Sequence, residues 1–268
     1  RYIYADAQLK ALVYGAAVEA TVAGALDAAH GLRALARIGS GAPVLAGAVD
    51  YEHALAQASG TLDDIERTDD DITVLYTGGT TGNPKGVIWP HKALFFAALG
   101  GGGAYNAAGP IERPEELAER VRQSAPIRQL SCGPLMHGAG MWGTTIGLLG
   151  GMTVFLSPWP DFVPEYLLNL ICEERINVFS LVGDAMALPL LDALKAWPGR
   201  WDLGHVFAVT NGGAMLSEHM REALRPYLAP QAVMLDSMAS SETGTSGAGT
   251  KPAGGGLLRL APGPSIAV

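Results

Sequence analysis

From residue 128 to residue 235 the chain alternates between short apolar runs and longer stretches whose apolar residues recur at helical spacing. Runs at 129–132, 152–156, 178–181, 205–210 and 232–235 predict strands. Segments 138–149, 164–174, 184–197 and 217–228 predict the helices between them, with Ser217 placed to cap the last. Strands alternating with helices of this length predict a mostly parallel, doubly wound sheet. The first hundred residues carry the pattern less regularly. They predict strands at 11–14 and 35–38, a buried strand at 72–76, an alanine-rich helical stretch at 15–30, and helices at 51–58 and 91–99. Residues 109–127 are the most charged stretch and read as a solvated surface connection. The predicted fold class is therefore α/β: two doubly wound, mostly parallel sheets flanked by helices. A first subdomain covers 1–108, a connection 109–127 and a second subdomain 128–268.

The strand predicted at 72–76 empties into Thr77-Gly78-Gly79-Thr80-Thr81-Gly82-Asn83-Pro84-Lys85-Gly86. Glycines let backbone N–H groups approach an anion, threonine hydroxyls add donors, and a lysine adds a point charge. The ligand this chemistry suits is a polyphosphate. The pattern is not a Walker A loop, which places glycine before the lysine and Ser or Thr after it. Here Pro84 precedes Lys85 and Gly86 follows, so no helix begins on the lysine.

Composition narrows the partners. With 18 basic against 26 acidic side chains the net charge is −8, and no basic run occurs, which argues against nucleic acid and against an anionic membrane surface. An acidic chain that takes a polyphosphate needs a divalent cation beside its lysine. Hydrophobic residues make up 49% and charged ones 16%, as in an α/β protein with buried strands. No apolar run approaches ~20 residues, so no transmembrane span is expected. Cys132 and Cys172 have neither metal-site nor disulfide-framework spacing and read as buried thiols in a reducing cytoplasm. The chain begins at Arg1 without methionine and stops in an apolar run, so both ends read as cut.

Residues 76–87 resemble the phosphate-binding signature of the adenylate-forming superfamily of AMP-binding enzymes, usually worded Y-T-S-G-T-T-G-x-P-K-G-V; only Gly78 departs, where serine is commoner. Continuation into Ile88-Trp89-Pro90-His91 resembles the fatty-acyl-CoA synthetase branch, in particular bacterial enzymes for long-chain or steroid-derived acids. The fold implied is the large domain of an acetyl-CoA synthetase-like enzyme, incomplete. The reaction implied is ATP-dependent activation of a carboxylic acid to an acyl-adenylate, then transfer to the thiol of coenzyme A, with Mg2+ as the divalent ion. No protein nucleophile is required. Catalysis is positioning and neutralisation of charge in transit. The resemblance assigns Thr77, Gly78, Gly79, Thr80, Thr81, Gly82 and Lys85 to the departing phosphates, with Lys85, Thr80 and Glu242 as the catalytic set and Thr77 with Glu242 on magnesium.

Three further segments, each following a predicted strand, carry weaker matches. Pro134-Leu135-Met136-His137-Gly138-Ala139-Gly140 is similar to the family's P-L-F-H-x-x-G, which borders the acyl pocket and thiol channel. A lone histidine in such a setting is ordinarily a core residue. The resemblance makes His137 a gate and positioning group, with Met141 and Trp142 beside the substrate. Gly212, Gly213 and Ala214 match the loop that lies against adenine and the acyl chain, with Met215 in place of proline. Asp236, Ser237, Met238, Ala239, Ser240, Ser241 and Glu242 resemble Y-G-x-[ST]-E. Met238 replaces the tyrosine that stacks on adenine, though a thioether can still cover a ring face. No T-G-D segment for the ribose, no hinge and no C-terminal small domain with its adenylation lysine occur, so the chain is expected to keep its fold and a partial ATP/acyl pocket with little or no turnover. An aryl- or amino-acid-adenylating enzyme of the same superfamily, a nucleotide-binding module without chemistry, and a purely structural loop stay open as alternatives.

Overall fold

The computed structural model describes residues 1–61, 65–78, 82–102, 108–158, 161–250 and 260–262. Contacts divide the chain into two compact units, Arg1–Ile88 and Trp89–Val268. The division falls within a strand at the exit of the phosphate-type loop and not in the 109–127 connection. The helix that follows, His91–Ala98, explains it: it packs on the sheet of the second unit, so the chain has already joined that unit at Trp89.

In the first unit, helix α1 (Tyr2–Asp6) precedes strand β1 (Ala11–Gly15), helix α2 (Glu19–Ala23), strands β2 (Ala34–Ile38) and β3 (Ala48–Asp50), and helix α3 (Tyr51–Gln57). The three strands form a parallel sheet in the order β1-β2-β3. Tyr14, Val22 and Leu35 form its small core. The single helical stretch expected at 15–30 is instead a five-residue α-helix between two 3-10 turns. Gly24 follows the helix directly, and Val22 is the only buried residue in it, so alanine propensity has little packing to reinforce it. Asp50 caps α3 by accepting from the His53 amide at 2.8 Å.

Strand β4 (Ile72–Thr77) forms where a buried strand was expected, but among its residues only Leu75 is buried; Ile72 is 56% and Val74 41% exposed. It pairs with β5 (Lys85–Pro90), which was not foreseen, as a two-stranded sheet. Gly86 permits that pairing. A Cβ on it would lie 2.8 Å from Val74 Cγ1 and 3.3 Å from the Tyr76 ring.

The second unit continues with α4 (His91–Ala98) and the exposed, charged α5 (Glu115–Gln123). A βα succession follows: β6 (Arg128–Ser131), α6 (Gly138–Leu149), β7 (Thr153–Leu156), α7 (Pro164–Glu173), β8 (Val178–Leu181), α8 (Asp184–Ala196), β9 (Ala208–Asn211), α9 (Glu218–Leu224) and β10 (Val233–Ser240). Strands β11 (Gly244–Thr250) and β12 (Ala261–Pro262) complete a seven-stranded sheet in the order β12-β11-β10-β9-β8-β6-β7. The five strands from β10 to β7 are mutually parallel, and β11 and β12 add on antiparallel. Leu167, Leu168 and Ile171 of α7, Leu191 and Leu194 of α8, Phe179 of β8, Val209 of β9 and Leu224 of α9 form the main core. Ser217 caps α9 as expected, accepting from the Met220 amide at 3.3 Å.

Two expectations change here. The strand read at 205–210 begins only at Ala208, because His205 lies in the preceding turn with its Nε2 against the Ile171 carbonyl at 3.1 Å. The loop read after residue 235 is strand as far as Ser240 and returns through a three-residue turn into β11. That hairpin carries a bulge between Met238 and Ala239.

Candidate functional site

The strand order creates a switch point. After β6 the chain crosses to β7 on one side, whereas β8 and everything beyond it build on the other. In open α/β sheets such a point, at the carboxyl ends of the strands, is where a ligand crevice opens. The loop after β6 and that after β8 meet there. A Cβ placed on Gly133 would lie 3.3 Å from the Gly140 Cα and 3.7 Å from Val182 Cγ2. The β9 loop joins them, since a Cβ on Gly213 would come within 3.5 Å of Val182 and 3.7 Å of Ala139.

One amide ties these loops together. The buried Asn211 accepts from the Gly183 N–H at 2.8 Å and donates both to the Ala214 carbonyl (3.0 Å) and to Asp236 Oδ1 (2.9 Å). Asp236 in turn receives Nη2 of Arg221 on both oxygens, at 2.5 and 2.6 Å, with both side chains less than a tenth exposed. Arg221 Nε donates to the Leu216 carbonyl at 3.2 Å, and the Ser237 hydroxyl to the Asn211 carbonyl at 3.2 Å. The Asp236 carboxylate is therefore engaged in holding the loop. Neither Asn211 nor Arg221 stood out from sequence. The signal that could have found Arg221 is a basic residue set between the apolar Met220 and Leu224 in the predicted helix 217–228.

Gly212, Gly213 and Ala214 form the wall at the end of β9, and Ser237, Met238, Ala239 and Ser240 the outgoing half of the β10–β11 hairpin. Met238 is 53% and Met215 81% exposed. His137 sits in extended conformation as the N-cap of α6, exposed, with the Met141 amide on its carbonyl at 2.9 Å. It is exposed, not a core histidine. Met141 is half-buried, and Trp142 is only 5% exposed. The Trp142 ring packs edge-on to Trp89, centroids 6.4 Å apart at 87°.

Glu242 occupies the middle of the turn between Ser240 and Gly244 and is exposed. Hydroxyls brace that turn: Ser240 Oγ accepts from the Thr243 amide at 3.1 Å, and the Thr243 hydroxyl lies 3.0 Å from both Ser240 Oγ and Ser246 Oγ. The Trp89 indole N–H donates to the Ser241 carbonyl at 2.7 Å. Gly244 closes the turn at φ +69°, and a Cβ there would meet the Ala97 carbonyl oxygen of α4 at 2.7 Å.

The phosphate-type loop belongs to the first unit. Thr77 ends β4 and its hydroxyl donates to the Lys85 carbonyl at 3.4 Å; Gly78, Gly82 and Lys85 are exposed, and Lys85 opens β5. Gly79, Thr80 and Thr81 lie outside the described residues. Just before the loop, the Tyr76 hydroxyl donates to Asp6 Oδ2 at 2.6 Å, and this bond pushes the phenol up to about 12. Among the described residues no cluster of three His, Cys, Asp or Glu could hold a metal ion, and no helix is long and apolar enough to cross a membrane.

The comparisons agree with this architecture. Medium-chain acyl-CoA ligase Mig of Mycobacterium avium is 37% identical over 246 residues, 91% of this chain and 44% of the relative. The 3-oxocholest-4-en-26-oate–CoA ligase of Rhodococcus rhodochrous is 32% identical over 267 residues, 96% of this chain and 47% of that one. The chain thus spans about half the length of the curated relatives it matches. The crystal structure of apo MatB from Rhodopseudomonas palustris superposes with a TM-score of 0.65 at 23% identity, over 99% of this chain and 46% of that one, and so shares its fold. The model of the AMP-binding enzyme family matches residues 1–260, and the chain belongs to that family.

Proposed function

We propose that the protein to which this chain belongs activates a carboxylic acid with ATP and passes the acyl group to coenzyme A. The carboxylate attacks the α-phosphorus, the bond to the β-phosphate breaks, and pyrophosphate leaves. The thiol sulfur then attacks the acyl carbon of the adenylate and AMP departs. The observation that supports this reading best is the meeting of the β6, β8 and β9 loops at the switch point, braced by Asn211, Arg221 and Asp236.

Each proposed role follows from the chemistry of the side chain. Thr77 to Gly82 and Lys85 hold the departing β- and γ-phosphates. Gly212 to Ala214 lie against adenine and the acyl chain, and Ser237 to Ser241 face the nucleotide. Asp236 acts from behind, by fixing that wall. His137 stands at the rim as a positioning group, with Met141 beside the acid and Trp142 backing it. The donor set suits Mg2+, a hard ion that takes one or two carboxylates plus phosphate oxygens. Glu242 offers an exposed carboxylate on a braced turn, and Thr77 a hydroxyl. When bound, the ion neutralises charge on the phosphate oxygens. The acid is proposed to be a medium- or long-chain fatty or steroid-derived one. The two relatives are named for such acids, and the deformable apolar Met136, Met215 and Met238 are exposed beside the loops.

The test is ATP–pyrophosphate exchange on the full-length protein with a panel of acids. Exchange is expected with fatty and steroid-derived acids and not with amino acids. Removing one preorganised donor costs on the order of 3 kcal/mol in such a transition state, so Lys85→Ala or Thr80→Ala should cut exchange about a hundredfold. Binding of Mg-ATP without exchange on any acid would overturn the reading.

A further inference from the structure

Trp89 stands out among residues with no assigned role. It follows Lys85 by four positions on β5, and its indole N–H is spent on a single acceptor, the Ser241 carbonyl at 2.7 Å. That carbonyl belongs to the peptide linking Ser241 to Glu242. Fixing the peptide plane sets the direction in which the Glu242 backbone leaves the turn. The ring orientation is itself preset, because the buried Trp142 meets Trp89 edge-on and packs over the first residue of α6, Gly138. Hydroxyls of Ser240, Thr243 and Ser246 hold the remainder of the turn. The result is a rigid three-residue tip carrying an exposed carboxylate, which is what a single-carboxylate metal ligand needs.

We propose that Trp89 is a positioning residue for Glu242: its indole N–H orients the Ser241–Glu242 peptide so that the carboxylate is presented to the nucleotide-bound divalent cation. This rests on the assignment of Glu242 to that cation. Trp89 touches neither substrate nor metal and acts only through the turn.

The experiment uses the full-length protein with Trp89→Phe, which keeps an aromatic ring but has no donor, Trp89→Leu, and Glu242→Gln. Mn2+ binding to the ATP complex is titrated by electron paramagnetic resonance without any acid, so no turnover enters. Losing one neutral hydrogen bond, ~1 kcal/mol, corresponds to about a fivefold weaker Mn2+ affinity in Trp89→Phe. ATP affinity without metal should stay within twofold, a split that a merely structural role would not produce. Glu242→Gln should weaken Mn2+ at least as much, and the double variant should lose no more than Glu242→Gln alone. A Mn2+ affinity in both folded Trp89 variants equal to the parent's, with Glu242→Gln impaired, overturns the proposal and leaves the metal assignment standing. Unchanged affinity in Glu242→Gln removes the metal assignment and the proposal with it. If neither Trp89 variant folds, the indole is a packing element and the proposal is overturned as well.

Discussion

Replacing Asp236 by alanine removes the carboxylate that pairs with a guanidinium that is itself buried. The Arg221 and Asp236 side chains are 7% and 8% exposed, and the contacts of 2.5 and 2.6 Å leave no room for water between them. Truncating one partner of such a pair costs about 3–5 kcal/mol, mostly as the penalty of an uncompensated buried charge. Set against a typical stability of 5–15 kcal/mol, Asp236→Ala should bring the second unit near its folding limit. Replacing both groups by apolar ones, as in Arg221→Met with Asp236→Leu, should be far milder, within about 2 kcal/mol of the parent. Urea unfolding followed by tryptophan fluorescence is the suitable assay, because all five tryptophans lie beyond residue 88 and report on the second unit alone. A loss below ~1 kcal/mol in Asp236→Ala, or a double variant as damaged as the single one, would refute the view that the pair is desolvated and mutually dependent.

Other perturbations should separate as clearly. Gly244→Ala combines a φ of +69° with a Cβ 2.7 Å from a backbone oxygen of α4, so it should lower stability by more than ~1 kcal/mol and shift the fluorescence midpoint, whereas Gly143→Ala, where nothing lies within 4 Å, should not. Ser217→Ala should cost about 1 kcal/mol in the same assay through loss of the α9 cap. Burial pushes the Cys132 thiol up to about 12. It should therefore resist thiol reagents in the native state at pH 8 and react on unfolding. Its raised folded value also means that stability is fully present below about 9 and falls as pH rises towards 12, at most about 1.4 kcal/mol per pH unit; Cys132→Ala should abolish that part of the slope.

The βα rhythm was readable because β6, β8 and β9 each bury three of their four residues and helices α7 and α8 carry dense leucine stripes. Strand β11 was not, because Gly-Thr-Ser-Gly-Ala-Gly-Thr has neither hydrophobic alternation nor bulk. It is a strand because β10 lies beside it and because small residues let α4 settle on it, both long-range facts. Likewise β5 opens with lysine and glycine, and its identity comes from Gly86 fitting under Val74 and Tyr76. In the site, glycines and histidine were visible as residue types that change the backbone or the chemistry. Asn211 and Arg221 were not, since what distinguishes them is the partner each finds across 25 and 15 residues of chain.

Because one carboxamide, that of Asn211, fastens the entrance of α8, the Gly212–Ala214 wall and the start of the hairpin, those three surfaces shift as a set or not at all. Under the proposed function, variants meant to change which acid is accepted should leave that anchor alone. Variation belongs at Met215 and Met238, whose side chains reach into open space and can be exchanged for larger, smaller or aromatic groups while the masonry behind them stays put.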